Sequence, residues 1–242
     1  MNERLIQADR SVIVAADVDF RDLASLVKET SSIPGIGGYK VGAALGLEVG
    51  LGRVVNDIRG LDRVGFPRLP IIYDHQKAAT DIPDTATQIL GVCKRAGVDA
   101  VILFPHAGPA TQERWTKTAQ DLGLHVLVGL HMTHPQFLDS EGGYIADQAP
   151  KSAFELAVKM EVRNFVVPGT KTEFVSAYKD LLDGLLGKNK FDLYAPGFIS
   201  QGGDISEIAR VAGDRWHAIV GSAIYKAKNV REAAERVTSQ IR

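Results

Sequence analysis

The sequence predicts an α/β fold of the (β/α)8 TIM-barrel class, with residues 1–242 forming a single domain. Three observations predict it. Short runs of aliphatic and β-branched residues alternate along the whole chain with longer stretches of helical periodicity. The short runs are continuously apolar, as expected of parallel strands covered on both faces. Eight of them can be counted, and eight strands close a parallel sheet within a chain of about 250 residues. An open doubly wound sheet would give a similar alternation, and the count of eight favours closure.

In order, strands are expected over residues 11–16, 38–41, 70–73, 100–104, 125–129, 164–167, 192–195 and 217–220. Helices are expected between and after them, over 21–30, 45–57, 84–96, 109–122, 147–160, 172–186, 205–211 and 230–241. Pro83 supplies a good first residue for the third helix. The glycines from Gly35 to Gly42 complete no GxGxxG pattern and are expected to serve a turn. No low-complexity linker interrupts the rhythm, and no repeat beyond it is evident.

Charge and cysteine usage narrow the function. With 28 basic and 29 acidic residues the chain is near neutrality, which gives no electrostatic case for nucleic acid or membrane partners. No run approaches the roughly 18 apolar residues of a spanning helix. The opening MNERLIQADR has no signal-peptide core, so a cytoplasmic location is expected. The single cysteine, Cys93, excludes an internal disulfide and suits a reducing compartment. Among Ile89, Leu90 and Val92 it reads as a buried structural thiol rather than a nucleophile.

In such a barrel, chemistry gathers where strands end and βα loops begin. Polar residues recur at those ends far more than at strand starts. Strand one gives Asp17, either a cap for the next helix or a site residue. Strand two holds Lys40, which needs an acidic partner if buried, and Asp17 or Asp74 would serve. Strand three runs into Asp74, Lys77 and Asp81, which are costly beside a buried strand end unless they neutralise one another. His131 and His134 after strand five lack a clear third ligand, so no metal is expected. His106 reads as a loop residue. Gly202-Gly203-Asp204 before a helix, and the Gly221-Ser222 turn, could present backbone amides to an anion, or could be ordinary loop glycines.

The run Asp74-His75-Gln76-Lys77-Ala78-Ala79-Thr80-Asp81-Ile82-Pro83-Asp84-Thr85 resembles the Asp-x-Lys-x-x-Asp-Ile-Pro-x-Thr signature of the orotidine 5′-phosphate decarboxylase family, in its short archaeal form. Met132-Thr133-His134-Pro135 is similar to that family's Met-Ser-His-Pro stretch. Pro196-Gly197 with Gln201-Gly202-Gly203 resembles its phosphate loop. The resemblance runs from Val12 to Tyr225 and implies a cofactor-free decarboxylase of orotidine 5′-monophosphate. Lys40, Asp74, Lys77 and Asp81 would form its alternating charge network. Asp17 would contact ribose, Thr133 the pyrimidine, and Pro196, Gln201, Gly202, Gly203, Gly221 and Ser222 the phosphate. Asp81, Ile82 and Thr85 would reach into the neighbouring subunit of a homodimer.

Two departures stand out. Two residues rather than one separate Asp74 from Lys77, and three rather than two separate Lys77 from Asp81, so the backbone must leave strand geometry at His75-Gln76 for the charges to converge. Ser222 stands where the family has an arginine on the phosphate; Lys226, Lys171 and Arg215 are the candidate replacements. Two rivals remain: a magnesium-dependent sugar-phosphate lyase or decarboxylase on the same barrel, and a barrel that binds a nucleotide without turning it over. The first places an acid where Lys40 stands, because a divalent cation needs oxygen ligands.

Overall fold

The computed structural model describes residues 4–62, 65–75, 81–197 and 209–241. Eight strands close into a barrel in sequence order: β1 (Arg10–Ala15), β2 (Ile36–Gly42), β3 (Ile71–Asp74), β4 (Ala100–Leu103), β5 (His125–Val128), β6 (Asn164–Val166), β7 (Asp192–Pro196) and β8 (Trp216–Val220). Every pairing is parallel, and β8 returns to β1 with Trp216 opposite Arg10. The strands are those the sequence predicts, shifted by a residue or two at their ends.

The helices are α1 (Phe20–Thr30), α2 (Ala43–Val49), α3 (Leu51–Asp62), α4 (Ala86–Ala96), α5 (Pro109–Asp121), α6 (Ala149–Lys159) and α7 (Thr172–Leu186), then a one-turn helix Ser222–Tyr225 and a closing helix Val230–Ser239. The single helix expected over 45–57 is in fact two. They meet at Gly50, whose φ of +85° is open to glycine and breaks the hydrogen-bond ladder. The helix expected over 205–211 falls largely outside the described residues. Among the described residues, no helix is long and apolar enough to cross a membrane.

Strand periodicity sorts side chains into two cores. Ile13, Ile72, Ile102, Leu127, Val166, Tyr194 and Ile219 fill the barrel. Their neighbours, among them Val14, Tyr39, Ile71, Val101, Phe165 and Leu193, point outward under the helices. Both faces are buried, which is why the strands read as unbroken apolar runs.

The glycine cluster is not a turn. Only Gly35, at φ +100°, serves one; Gly37, Gly38 and Gly42 lie within β2. Their lack of a side chain lets neighbouring strands approach closely. A Cβ on Gly37 would stand 2.2 Å from Ser11 Oγ, and one on Gly38 2.8 Å from the Pro70 carbonyl.

Polar residues are also not confined to strand C-termini. At the opposite end of the barrel, Asp192 accepts from Arg4 (2.8 Å) and Arg215 (2.9 Å), and Ser11 Oγ contacts His217 Nδ1 at 2.8 Å. Burial alone would raise the Asp192 carboxyl; the neighbouring His217 and the bonds to Arg215 and Arg4 outweigh that and hold it below the usual carboxylate range. This paired network closes the barrel floor.

Gly37→Ala is expected to lower stability by about 1–3 kcal/mol, the usual cost of overpacking, because the new methyl must displace Ser11 from His217. Denaturant unfolding checks it, and an unchanged midpoint would show that β1 and β2 can part freely.

Candidate active site

The C-terminal mouth of the barrel is built from strand phase. Ile13 and Ala15 point into the barrel, so Asp17, next in that phase beyond β1, reaches the same side. Lys40 lies opposite Ile72 in the register of β2 and β3, and Gly42 lies opposite Asp74. Lys40 Nζ donates to Asp74 Oδ2 at 2.8 Å and to Asp17 Oδ1 at 3.3 Å. Asp74 is wholly buried and Lys40 only 4 % exposed. Burial by itself would lower the Lys40 pKa, but Asp74 and then Asp17 outweigh it and raise the value above the ordinary lysine range. Asp17 is therefore occupied by Lys40 and does not cap α1, whose N-cap is Asp19. Gly42 makes room, since a Cβ there would lie 3.2 Å from Asp17 Oδ1.

Lys77, Gln201, Gly202 and Gly203 lie outside the described residues. Asp81, Ile82 and Thr85 lie within them, on the flank of the barrel. Thr111 Oγ1 of α5 donates to the Asp81 carbonyl (3.0 Å), Trp115 Nε1 to the Ile82 carbonyl (3.3 Å), and Thr85 Oγ1 to the same Ile82 carbonyl (2.9 Å). The Asp81 carboxylate accepts from the next backbone amide, and the Ile82 side chain is 61 % exposed. Asp81 forms no ion pair with Lys40 among the described residues.

Thr133, Pro196 and Gly197 meet at one place. A Cβ on Gly197, whose φ is +99°, would lie 3.1 Å from Thr133 Cγ2 and 3.0 Å from Thr170 Cγ2. Thr170 Oγ1 donates to the Thr133 carbonyl at 3.3 Å, and the Gly169 amide to the Pro196 carbonyl at 3.1 Å. The loops after β5, β6 and β7 are thus tied together. Gly221 and Ser222 follow the same end of β8, where a Cβ on Gly221 would lie 3.5 Å from that of Ala15 in β1.

Beneath Thr133 is a polar cluster that the sequence did not reveal. His131 is buried, with Nδ1 2.8 Å from the Tyr178 hydroxyl and Nε2 3.0 Å from Lys171 Nζ. An ammonium can only donate, so Nε2 accepts, and the imidazole is neutral with its proton on Nδ1, given to Tyr178. Burial, then the neighbouring Lys171 charge, lowers His131 to about 4. Lys171 also binds Glu141, which accepts the Phe137 and Leu138 amides. Although burial opposes it, these donors lower Glu141 to about 2. His131 Nε2 also lies 3.5 Å from Glu141 Oε1, and His134 Nδ1 lies 2.8 Å from the Pro135 carbonyl. The polar Thr170-Lys171 pair after strand six was the available signal, and Glu141 carried none.

The three candidate phosphate cations separate cleanly. Lys171 is held by Glu141, and Arg215 sits at the barrel floor on Asp192. Lys226, just after the helix Ser222–Tyr225, has no acidic partner among the described residues.

Comparisons with known proteins bear on the family and the fold. A family model described as "Orotidine 5'-phosphate decarboxylase / HUMPS family" matches residues 10–237. The orotidine 5′-phosphate decarboxylase of Methanosarcina barkeri is 33% identical over 234 residues, spanning 95% of this chain and 94% of that one. That of Pyrococcus abyssi is 33% identical over 193 residues, spanning 79% and 82%. Among solved structures, orotidine 5′-phosphate decarboxylase from Pyrococcus horikoshii superposes with a TM-score of 0.74 at 28% identity, over 95% of this chain and 98% of that one. The Methanocaldococcus jannaschii enzyme complexed with inhibitor BMP gives 0.80 over 96% and 98%, and at 24% identity it speaks to the fold alone.

The His131 cluster has a defined acid response. Its folded pKa of about 4 lies below the ordinary 6.5, so its stabilisation is complete above pH 6.5 and is lost as pH falls towards 4. In Lys171→Met the cation that disfavours protonation is gone while Glu141 remains, so the His131 titration followed by NMR should move upward. An unmoved titration would mean that Lys171 does not sit on the imidazole.

Proposed function

The chain belongs to the orotidine 5′-phosphate decarboxylase / HUMPS family, and from that membership we infer that it converts orotidine 5′-monophosphate to uridine 5′-monophosphate and carbon dioxide, the last step of pyrimidine nucleotide synthesis. The observation that carries the reading is Lys40, buried between Asp17 and Asp74 at the barrel mouth. A magnesium-dependent sugar-phosphate enzyme would need an oxygen ligand there, and an ammonium repels a divalent cation.

The chemistry follows from placed charge. The bond from C6 of the pyrimidine to its carboxylate breaks, carbon dioxide leaves, and the electron pair stays on C6. Lys77 supplies the ammonium that faces this charge and gives C6 its proton. Asp74, oriented by Lys40, stands against the departing carboxylate. Charges fixed before reaction, in a site closed to water, need no reorganisation as the carbanion forms. Asp17 holds ribose and Thr133 the pyrimidine edge. Pro196, Gln201, Gly202, Gly203, Gly221 and Ser222 surround the phosphate, and Lys226 takes the arginine's place. The exposed Ile82 side chain supports a homodimer in which Asp81, Ile82 and Thr85 complete the partner's site, and a cytoplasmic location suits this pathway.

Loss of the ultraviolet absorbance of orotidine 5′-monophosphate measures turnover directly. Turnover is expected in the wild type and abolished in Lys77→Ala; a wild type that binds uridine 5′-monophosphate yet turns nothing over would instead be a non-catalytic binding barrel. Lys226→Ala removes a charge-assisted contact of about 1.5–3 kcal/mol and should raise KM roughly tenfold or more with little change in kcat. Unchanged KM would place the phosphate elsewhere.

A further inference from the structure

The residues flanking the two acids of the Asp74–Asp81 stretch are fastened to one side chain. His75 directly follows Asp74, and its amide continues the β3–β4 ladder to the Ile102 carbonyl (3.3 Å). Its imidazole is buried and stacks on the Trp115 indole, centroids 5.0 Å apart and planes 28° from parallel, with the Tyr73 ring tilted towards it at 5.7 Å. The same indole gives its N–H to the carbonyl of Ile82, the residue directly after Asp81. One turn earlier on α5, Thr111 binds the Asp81 carbonyl. Trp115 is itself 4 % exposed and cannot move without opening the space between α5 and the barrel.

We propose that His75 and Trp115 are positioning residues that fix where the Asp74 and Asp81 ends of this stretch stand relative to each other. This rests on the decarboxylase reading for its consequence in catalysis, while the coupling itself is a property of the fold. The imidazole acts as a flat surface rather than as a base. Among the described residues its buried Nδ1 has no hydrogen-bond partner, and burial lowers the ring's pKa although Asp74 and Asp81 pull the other way. A neutral ring stacked on an indole can be replaced by another flat ring of similar size.

The test uses Trp115→Phe, His75→Ala and His75→Phe in the full-length protein. Trp115→Phe keeps an aromatic surface and loses the bond to Ile82; His75→Ala loses the stack; His75→Phe keeps it. Misplacing charged groups by up to about 1 Å can cost up to about a hundredfold in rate. We therefore expect Trp115→Phe and His75→Ala to lower kcat about tenfold to a hundredfold with a smaller change in KM, and His75→Phe to restore most of it. Phe154→Leu, a cut in the core between α6 and the barrel, is the control and should lower Tm without touching kcat. Amide hydrogen exchange over residues 82–85 gives a readout independent of turnover, and should quicken in Trp115→Phe and His75→Ala but not in His75→Phe. If the wild type turns over no orotidine 5′-monophosphate but exchange behaves as stated, the functional reading fails and the coupling stands. Exchange over 82–85 unchanged in both Trp115→Phe and His75→Ala overturns the proposal. So does a fall in Tm with kcat intact.

Discussion

A lysine ammonium inside the mouth of an apolar barrel is the constraint on which the rest of this structure depends. Lys40 sits on the inward phase of β2, and an unpaired charge there would cost several kcal/mol of lost hydration. The ion pair to Asp74 at 2.8 Å and the second contact to Asp17 at 3.3 Å make it tolerable. That requirement reaches outward. β1, β2 and β3 must hold a register that brings three inward side chains to one level. Gly42 must lack a side chain so that Asp17 can approach, and Gly37 and Gly38 must let β2 lie close to its neighbours.

The two ends of the barrel use charge differently. At the floor, Asp192 is shared by Arg4 and Arg215, and the arrangement holds strand starts together. At the mouth, two acids, Asp17 and Asp74, converge on the one buried ammonium of Lys40. The His131–Lys171–Glu141 cluster is of the floor's kind although it lies at the mouth, since its partners are satisfied within the protein and it braces the Thr133 loop.

The barrel was legible in the sequence because both cores are apolar, so each strand declares itself as an unbroken run. Lys40, Asp17 and Asp74 were legible for the opposite reason: charges at apolar strand ends demand partners. Elements decided by one backbone angle or one distant contact were not legible. Gly50 splits a continuous helical pattern, and nothing in the periodicity marks where a positive φ will be used. The β2 glycines looked like a turn because their purpose, the approach of Ser11 and Pro70, involves residues far away in sequence. Arg215 was a plausible phosphate cation until its place at the start of β8 put it at the wrong end of the barrel. His75 was seen only as an interruption of a motif, since its stack on Trp115 joins residues forty positions apart.

Lys40 is held as a charged ammonium by two carboxylates despite its burial. Titrating Lys40 by NMR, from the side-chain carbon next to the ammonium in lysine-labelled protein, tests this most directly. The account predicts a pKa above the ordinary 10.5, because Asp74 and Asp17 outweigh desolvation. A pKa well below 10.5 would contradict it, since burial would then be the stronger effect and the preorganised charge at the barrel mouth would not exist.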